Sequence, residues 1–350
     1  MQDRNILNNR VTRQPALHEY SSLAMKLRIN DDDDKYCIEY PILACDPLNA
    51  DFDGDTISCQ LVPEEAAEET YDRMSPRYIT TYKKNNEPIY TFSHEMLNGA
   101  AIASEYVFDD ISELKEPREY YTDYTQLLKD VEVEKKLNLG KPITFTGKVG
   151  ELEFKNKITT YGRLRISKIV GADIDKLGIF KGEHDRIDAA SAAKLTAYLN
   201  SRPNNVEKIQ ELQKFFLRVV TKAGVVTFDY KTLYVNTNTE TYKKICDIAD
   251  STALTDKQKL LLMTEEFHKY EKEVEEEFSK DIVDEVKRSG RVKLSSIVAM
   301  TMPQFITSGV EERPQITRGT LLNGYTEEDF IIHSVENRSL QGIKQSGVGD

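Results

Sequence analysis

The chain has 350 residues, with 47 Lys and Arg against 59 Asp and Glu and a formal net charge of −12; 39% of it is apolar, including 18 Tyr and 13 Phe. That suits two or three folded domains with substantial cores and a very polar surface. It excludes a uniformly basic, nucleic-acid-coating protein, so phosphate-binding Lys and Arg must be local or come from other chains.

No run of about 18 apolar residues is present to span a membrane, and Met1-Gln2-Asp3-Arg4-Asn5 does not read as a signal peptide. Cys37, Cys45, Cys59 and Cys246 make no Cys-x-x-Cys pair and the histidines are scattered, so no zinc site is predicted and reduced thiols in a cytoplasm are expected.

Taken in order, residues 25–29 alternate as a strand and residues 36–40 are β-rich. The acidic run 31–35 between them reads as a solvated hairpin tip, because adjacent Asp side chains point in different directions. Residues 41–45 read as a short buried strand that delivers the chain to Asn49. Ile57, Cys59 and Leu61 alternate with polar residues in a strand beyond.

Between these lies Asn49-Ala50-Asp51-Phe52-Asp53-Gly54-Asp55. In an extended chain the i, i+2 and i+4 side chains share one face, so Asp51, Asp53 and Asp55 converge, and a tight turn at Gly54 brings them closer. Unpaired, three such charges repel and raise one another's pKa values. A hard divalent cation removes the conflict, and carboxylate oxygens suit Mg²⁺. A calcium loop of the EF-hand type fails, because counting from Asp51 its sixth and twelfth positions hold Thr56 and Val62. A haloacid-dehalogenase-type phosphatase shares the letters Asp-Phe-Asp-Gly and stays open as an alternative. It expects a buried apolar strand before the motif, where Pro47-Leu48-Asn49-Ala50 stands.

The seven residues closely resemble the metal motif of the largest, beta-prime-type subunit of multisubunit DNA-directed RNA polymerases. Thr12-Arg13-Gln14-Pro15-Ala16-Leu17-His18 resembles that family's segment just upstream. The resemblance implies that Asp51, Asp53 and Asp55 hold a catalytic Mg²⁺, that a second Mg²⁺ arrives with the nucleotide, and that Asn49 and Arg13 lie near the ribose of the incoming NTP. It also implies a double-psi β-barrel around the metal loop. Because the chain begins a dozen residues before Arg13 and stops at Asp350, the expectation is one piece of a split subunit, of the kind giant tailed phages encode.

Beyond the motif, Pro63 opens a helix with acids at its positive end. Residues 75–88 are turn-rich and interleave Arg77, Lys83 and Lys84 with tyrosines, a pattern that suits a nucleic-acid backbone as well as it suits an ordinary loop. Residues 94–107 are helical and Ala-rich. Residues 108–150 are acidic, with a helix-like stretch at 127–131. Thr159-Thr160-Tyr161-Gly162-Arg163 resembles the segment that opens the family's pore-lining region.

Helices follow at 188–199 and 206–220, then a strand at 225–228 and a long helix at 254–288 capped by Thr255. The turn at 289–291 and a helix at 294–304 resemble the family's secondary-channel elements. Thr326 and Asp329 form a capping-box-like start to a stretch that resembles the first half of the bridge helix. On it, Arg338 matches a basic cleft position and His333 reads as a packing residue.

The expected fold is therefore α+β. Residues 1–107 would be a partial double-psi β-barrel with the metal loop, 108–320 a mostly helical pore and secondary-channel-like region, and 321–350 the first half of a bridge helix. The expected function is nucleotidyl transfer from NTPs to an RNA 3′ end, as a catalytic fragment active only within a multi-chain RNA polymerase. The partners implied are other beta-prime-type fragments, beta-type chains, a promoter-specificity factor, template DNA and RNA, with no membrane. The compartment implied is the cytoplasm, that of a bacterial host or a virion if the chain is phage-encoded. The alternative from another class is a polymerase-like scaffold without catalysis.

Overall fold

The computed structural model describes residues 6–14, 16, 18–29, 37–81, 88–92, 95–108, 110–180, 185–202, 205–223, 235–278, 294–306 and 315–346. The acidic run 31–35, Lys83 and Lys84, the strand expected at 225–228 and the turn at 289–291 lie outside these. The chain divides into two compact units, Met1–Val225 and Val226–Asp350.

The first unit begins with an antiparallel sheet of β1 (Ile6–Thr12), β2 (Ser22–Arg28) and β3 (Ser58–Leu61) in the order β2-β1-β3. The expected double-psi closure is not formed among the described residues: the sheet has three strands and open edges. One face is covered, because Val11 and Leu23 pack with Ala44 and Leu48 in a small apolar cluster. The buried strand expected at 41–45 is instead a 3₁₀ turn, Ile42–Ala44, running into a short helix α1 (Cys45–Leu48). Short apolar runs are ambiguous between helix and strand. Pro47 sits in the first turn, where its missing N–H costs nothing.

After α2 (Glu64–Met74), the main core forms where α3 (Glu95–Ser104) meets the later helices of the unit. Close backbone approaches at two glycines join these helices. A Cβ on Gly99 would lie 2.1 Å from the Phe216 carbonyl oxygen, and one on Gly162 would lie 1.9 Å from that of Ala103. Only glycine permits backbones to approach so closely.

The acidic region is not mainly helical. After α4 (Tyr124–Leu128), β5 (Ile143–Val149) and β6 (Leu152–Thr159) form a hairpin, and β4 (Glu119–Tyr121) adds in parallel to β5. Ile143, Phe145, Val149 and Phe154 build a second core there with Tyr161 and Leu164. The helices α5 (Tyr161–Val170), α6 (Ala189–Asn200) and α7 (Asn205–Ala223) complete the unit, the first two capped by Thr160 and Asp188.

In the second unit α8 (Glu240–Asp250) is a helix the sequence reading lacked, capped by Thr239 and burying Ile245 and Ala249 at i, i+4 spacing. It packs with α9 (Asp256–Glu277), whose capping box is Thr255 with Gln258. The helix expected to 288 ends at Glu277, and Phe278 is extended. The run of glutamates at 275–277 opposes the negative end of the helix dipole.

Likewise α10 (Leu294–Ala299) stops short of 304, because Pro303 disfavours helical geometry before it. Gln304 opens the hairpin β7 (Gln304–Ile306) and β8 (Gln315–Thr317). The closing α11 (Glu327–Ser346) starts as expected, with Thr326 and Asp329 hydrogen-bonded reciprocally at 3.1 Å. Among the described residues no helix is long and apolar enough to cross a membrane.

Candidate functional site

Antiparallel pairing of β1 with β3 places Thr12 opposite Ser58. Arg13, just past the end of β1, therefore meets Asp55, three residues before β3. The guanidinium forks the carboxylate, with one nitrogen 2.8 Å from Asp55 Oδ1 and Nε 2.7 Å from Oδ2. On the other side of the loop, α1 ends at Asn49, whose left-handed backbone (φ 45°, ψ 47°) caps the helix with its N–H on the Asp46 carbonyl. Asn tolerates that geometry better than most residues. Asp46 anchors α1 in turn, accepting the Thr91 N–H and hydroxyl at 3.1 Å each.

Between these supports the loop turns at Gly54, where φ is +121°. Asp51 N–H donates to Asp55 Oδ2 at 3.0 Å, and Asp53 N–H donates to Asp51 Oδ1 at 3.3 Å. One carboxylate oxygen from each of Asp51, Asp53 and Asp55 falls within 4.8 Å of the others. The convergence expected from alternate positions is present, but a compact turn produces it rather than an extended strand. The loop is mounted between a helical turn and β3, not between two strands.

The electrostatics are uneven. The Arg13 hydrogen bond holds the Asp55 carboxyl below the usual aspartate range, and Asp55 in return raises the Arg13 pKa. Asp53 is pushed the other way, by its hydrogen bond with Asp51 and by repulsion from it. One guanidinium thus faces three carboxylates in a largely exposed loop. This donor set, all hard oxygens with net negative charge and room around it, fits a divalent cation of the Mg²⁺ type. A dehalogenase-type nucleophile would sit at the end of a buried strand, and here a helical turn precedes the loop.

The loop opens onto a cleft of about 540 Å³ lined by Asn49, Asp51 and Phe52 with Glu95, Met96 and Leu217. Phe52 is 66% exposed and stacks on Tyr40, ring centroids 5.3 Å apart. Glu95, Met96 and Leu217 carried no sequence signal as cleft residues, since only the helix crossing brings them there.

Of the other expected contacts, Arg77 is engaged: Nε and an Nη both reach Glu207 Oε1, at 3.0 and 2.5 Å. Arg338 is exposed on α11. His333 packs against Tyr325, ring centroids 4.7 Å apart. Arg163 is fully used inside the unit, donating to the Ser104 carbonyl and to Asp175 and Asp185.

Residues 1–74, which include Arg13, Asn49 and all three loop aspartates, match the family described as RNA polymerase Rpb1, domain 2. The chain is polymerase-like over this segment. It is also 31% identical over 119 residues to a DNA-directed RNA polymerase III subunit RPC1 from Trypanosoma brucei brucei. That alignment takes in 33% of this chain and 8% of the relative. These likenesses support a largest-subunit type of RNA polymerase segment, and the polymerase-like part is the one that carries the acidic loop.

Proposed function

We propose that the chain serves in a DNA-directed RNA polymerase and that Asp51, Asp53 and Asp55 hold the Mg²⁺ used for template-directed nucleotidyl transfer. The observation that carries this reading is the convergence of the three carboxylates within 4.8 Å, inside the segment that matches the polymerase family. Mg²⁺ bound there supplies charge neutralisation at the phosphorus and lowers the pKa of the RNA 3′-hydroxyl.

The chain's own residues prepare the site. Arg13 fixes Asp55 through a bidentate fork, which restricts the carboxylate more than a single hydrogen bond does. The two loop N–H groups that donate to Asp51 and Asp55 fix those side chains further, leaving Asp53 the freest ligand. Asn49 is held by α1 at the mouth of the adjoining cleft, where it and Arg13 are proposed to read the ribose hydroxyls of an NTP. A site built to bond a hydroxyl rejects the analogue lacking it, because its polar groups are left unpaired.

Other polymerase chains, template DNA and RNA complete the proposed assembly. A −12 chain has little basic surface of its own for nucleic acid. We read α11 as the bridge-helix start, with Arg338 facing nucleic acid, and assign Arg77, Lys83 and Lys84 the same secondary role.

The test is single-nucleotide extension of an RNA–DNA scaffold by the chain co-assembled with its polymerase partners. Asp53→Ala is expected to lower extension by about a thousandfold or more while assembly, followed by size-exclusion chromatography, is unchanged. Near-normal extension by an assembled Asp53→Ala complex would overturn the metal assignment.

A further inference from the structure

A second cleft, of about 550 Å³, lies in the first unit between α7 and the segment running from Val131 to Leu139. Its floor includes Leu139, Phe215 and Val219. Leu139 packs against both the main helical core and the core of the second sheet, so the cleft runs over the seam between them. Phe215 and Val219 are buried beneath it, and Val131, Leu137 and Leu139 stay half-buried along it as an apolar contact surface.

The rim carries Lys135, Arg218 and Lys222, all exposed and without an acidic partner among the described residues. Their neighbours behave differently, since Lys129 and Lys136 both pair with Glu134. The one acid lining the cleft, Glu132, is occupied as well, accepting the Tyr161 hydroxyl at 2.5 Å. Three unpaired cations around an apolar floor stand out in a chain whose net charge is −12.

We propose that this cleft docks an acidic amphipathic helix of another polypeptide. Charge complementarity selects the partner's sign, and the apolar floor requires that its acids alternate with large apolar side chains. Arg218 and Lys222 stand one turn apart on α7, a spacing matched by Asp or Glu at i and i+4 of a helix laid alongside. A fatty-acid-like anion suits the lining less well, because it needs one cation at one end of a slot rather than cations spread along a rim. This inference does not depend on the polymerase reading, and neither does its test.

The probe is a fluorescein-labelled peptide of roughly twelve residues, about 18 Å as a helix, with Leu and Phe on one face and Glu at i and i+4 beside them. Binding to the full chain is followed by fluorescence anisotropy. A second peptide carries Lys at each Glu position, and dodecanoate is added as competitor. The acidic peptide is expected to bind saturably and to weaken about tenfold in the double variant Arg218→Glu, Lys222→Glu, two exposed positions whose change leaves the circular dichroism spectrum intact. The lysine peptide is expected not to bind. No saturable binding of the acidic peptide, equal binding of both peptides, indifference to the charge reversal, or displacement by dodecanoate at concentrations below the peptide's own Kd would each overturn the proposal.

Discussion

Two places in the first unit gather three aspartates around arginine, and they differ in how the charge is balanced. Around Arg163, the carboxylates of Asp173, Asp175 and Asp185 meet three cations, Arg163, Lys157 and Lys176. Arg163 is 2% exposed and lies between the rings of Tyr106 and Phe180, 4.1 and 4.4 Å from their centroids. In the acidic loop, Asp51, Asp53 and Asp55 meet Arg13 alone among the described residues, near solvent. A buried cation must be paired and hydrogen-bonded to be tolerated, so the first network holds structure together. An exposed excess of carboxylate gains nothing for the fold, and it is where the proposed Mg²⁺ would be held.

The contrast predicts opposite sensitivities. Arg163→Met leaves the buried Ser104 carbonyl without its donor and Asp175 with Lys157 as its remaining cation, and should lower unfolding stability in urea by about 3–5 kcal/mol. A loss below about 1 kcal/mol would show that the network is not structural. Asp53→Ala should do the reverse, removing RNA synthesis while leaving the urea unfolding midpoint essentially where it is, since it relieves repulsion rather than breaking a buried contact.

Gly162→Ala probes the same buried region without touching charge. Its Cβ meets the Ala103 carbonyl at 1.9 Å, and overpacking of this kind costs about 1–3 kcal/mol, read from the same denaturation curve. Asn49→Gly keeps the left-handed backbone and removes only the side chain. Stability should be nearly unchanged, while the preference for NTP over dNTP in single-nucleotide addition should fall at least about tenfold if Asn49 reads the sugar. The smallest effect belongs to Thr326→Ala, which deletes one half of the α11 capping box and should cost about 1 kcal/mol.

The acidic loop was legible because its signal is local: seven consecutive residues hold the ligands, and the turn at Gly54 needs no distant contact. What the sequence did not reveal was the partner. Arg13 lies 42 positions from Asp55, and only the β1–β3 register joins them. Helices with apolar residues at regular spacing, such as α7, were visible on the same grounds as the motif.

The β4–β6 sheet is hard to read from sequence because Ile143, Phe145 and Val149, which share the buried face of β5, stand in a surrounding acidic stretch. Residues 41–45, expected as a strand, fold as a helical turn, because four or five apolar residues fit either equally well. There Ala44 and Leu48 sink against the sheet while Leu43 joins the main helical core, and the choice is made by packing rather than by propensity.

The central claim is that the cation sits in the Asp51, Asp53, Asp55 loop, and the most direct measurement locates it. In the assembled polymerase, Mg²⁺ is replaced by Fe²⁺, and hydroxyl radicals generated with ascorbate and peroxide cut the backbone nearest the ion. Cuts concentrated at residues 51–55, suppressed by excess Mg²⁺ and absent in Asp53→Ala, are the predicted result. Cuts centred elsewhere in the chain, or unchanged by Asp53→Ala, would contradict it.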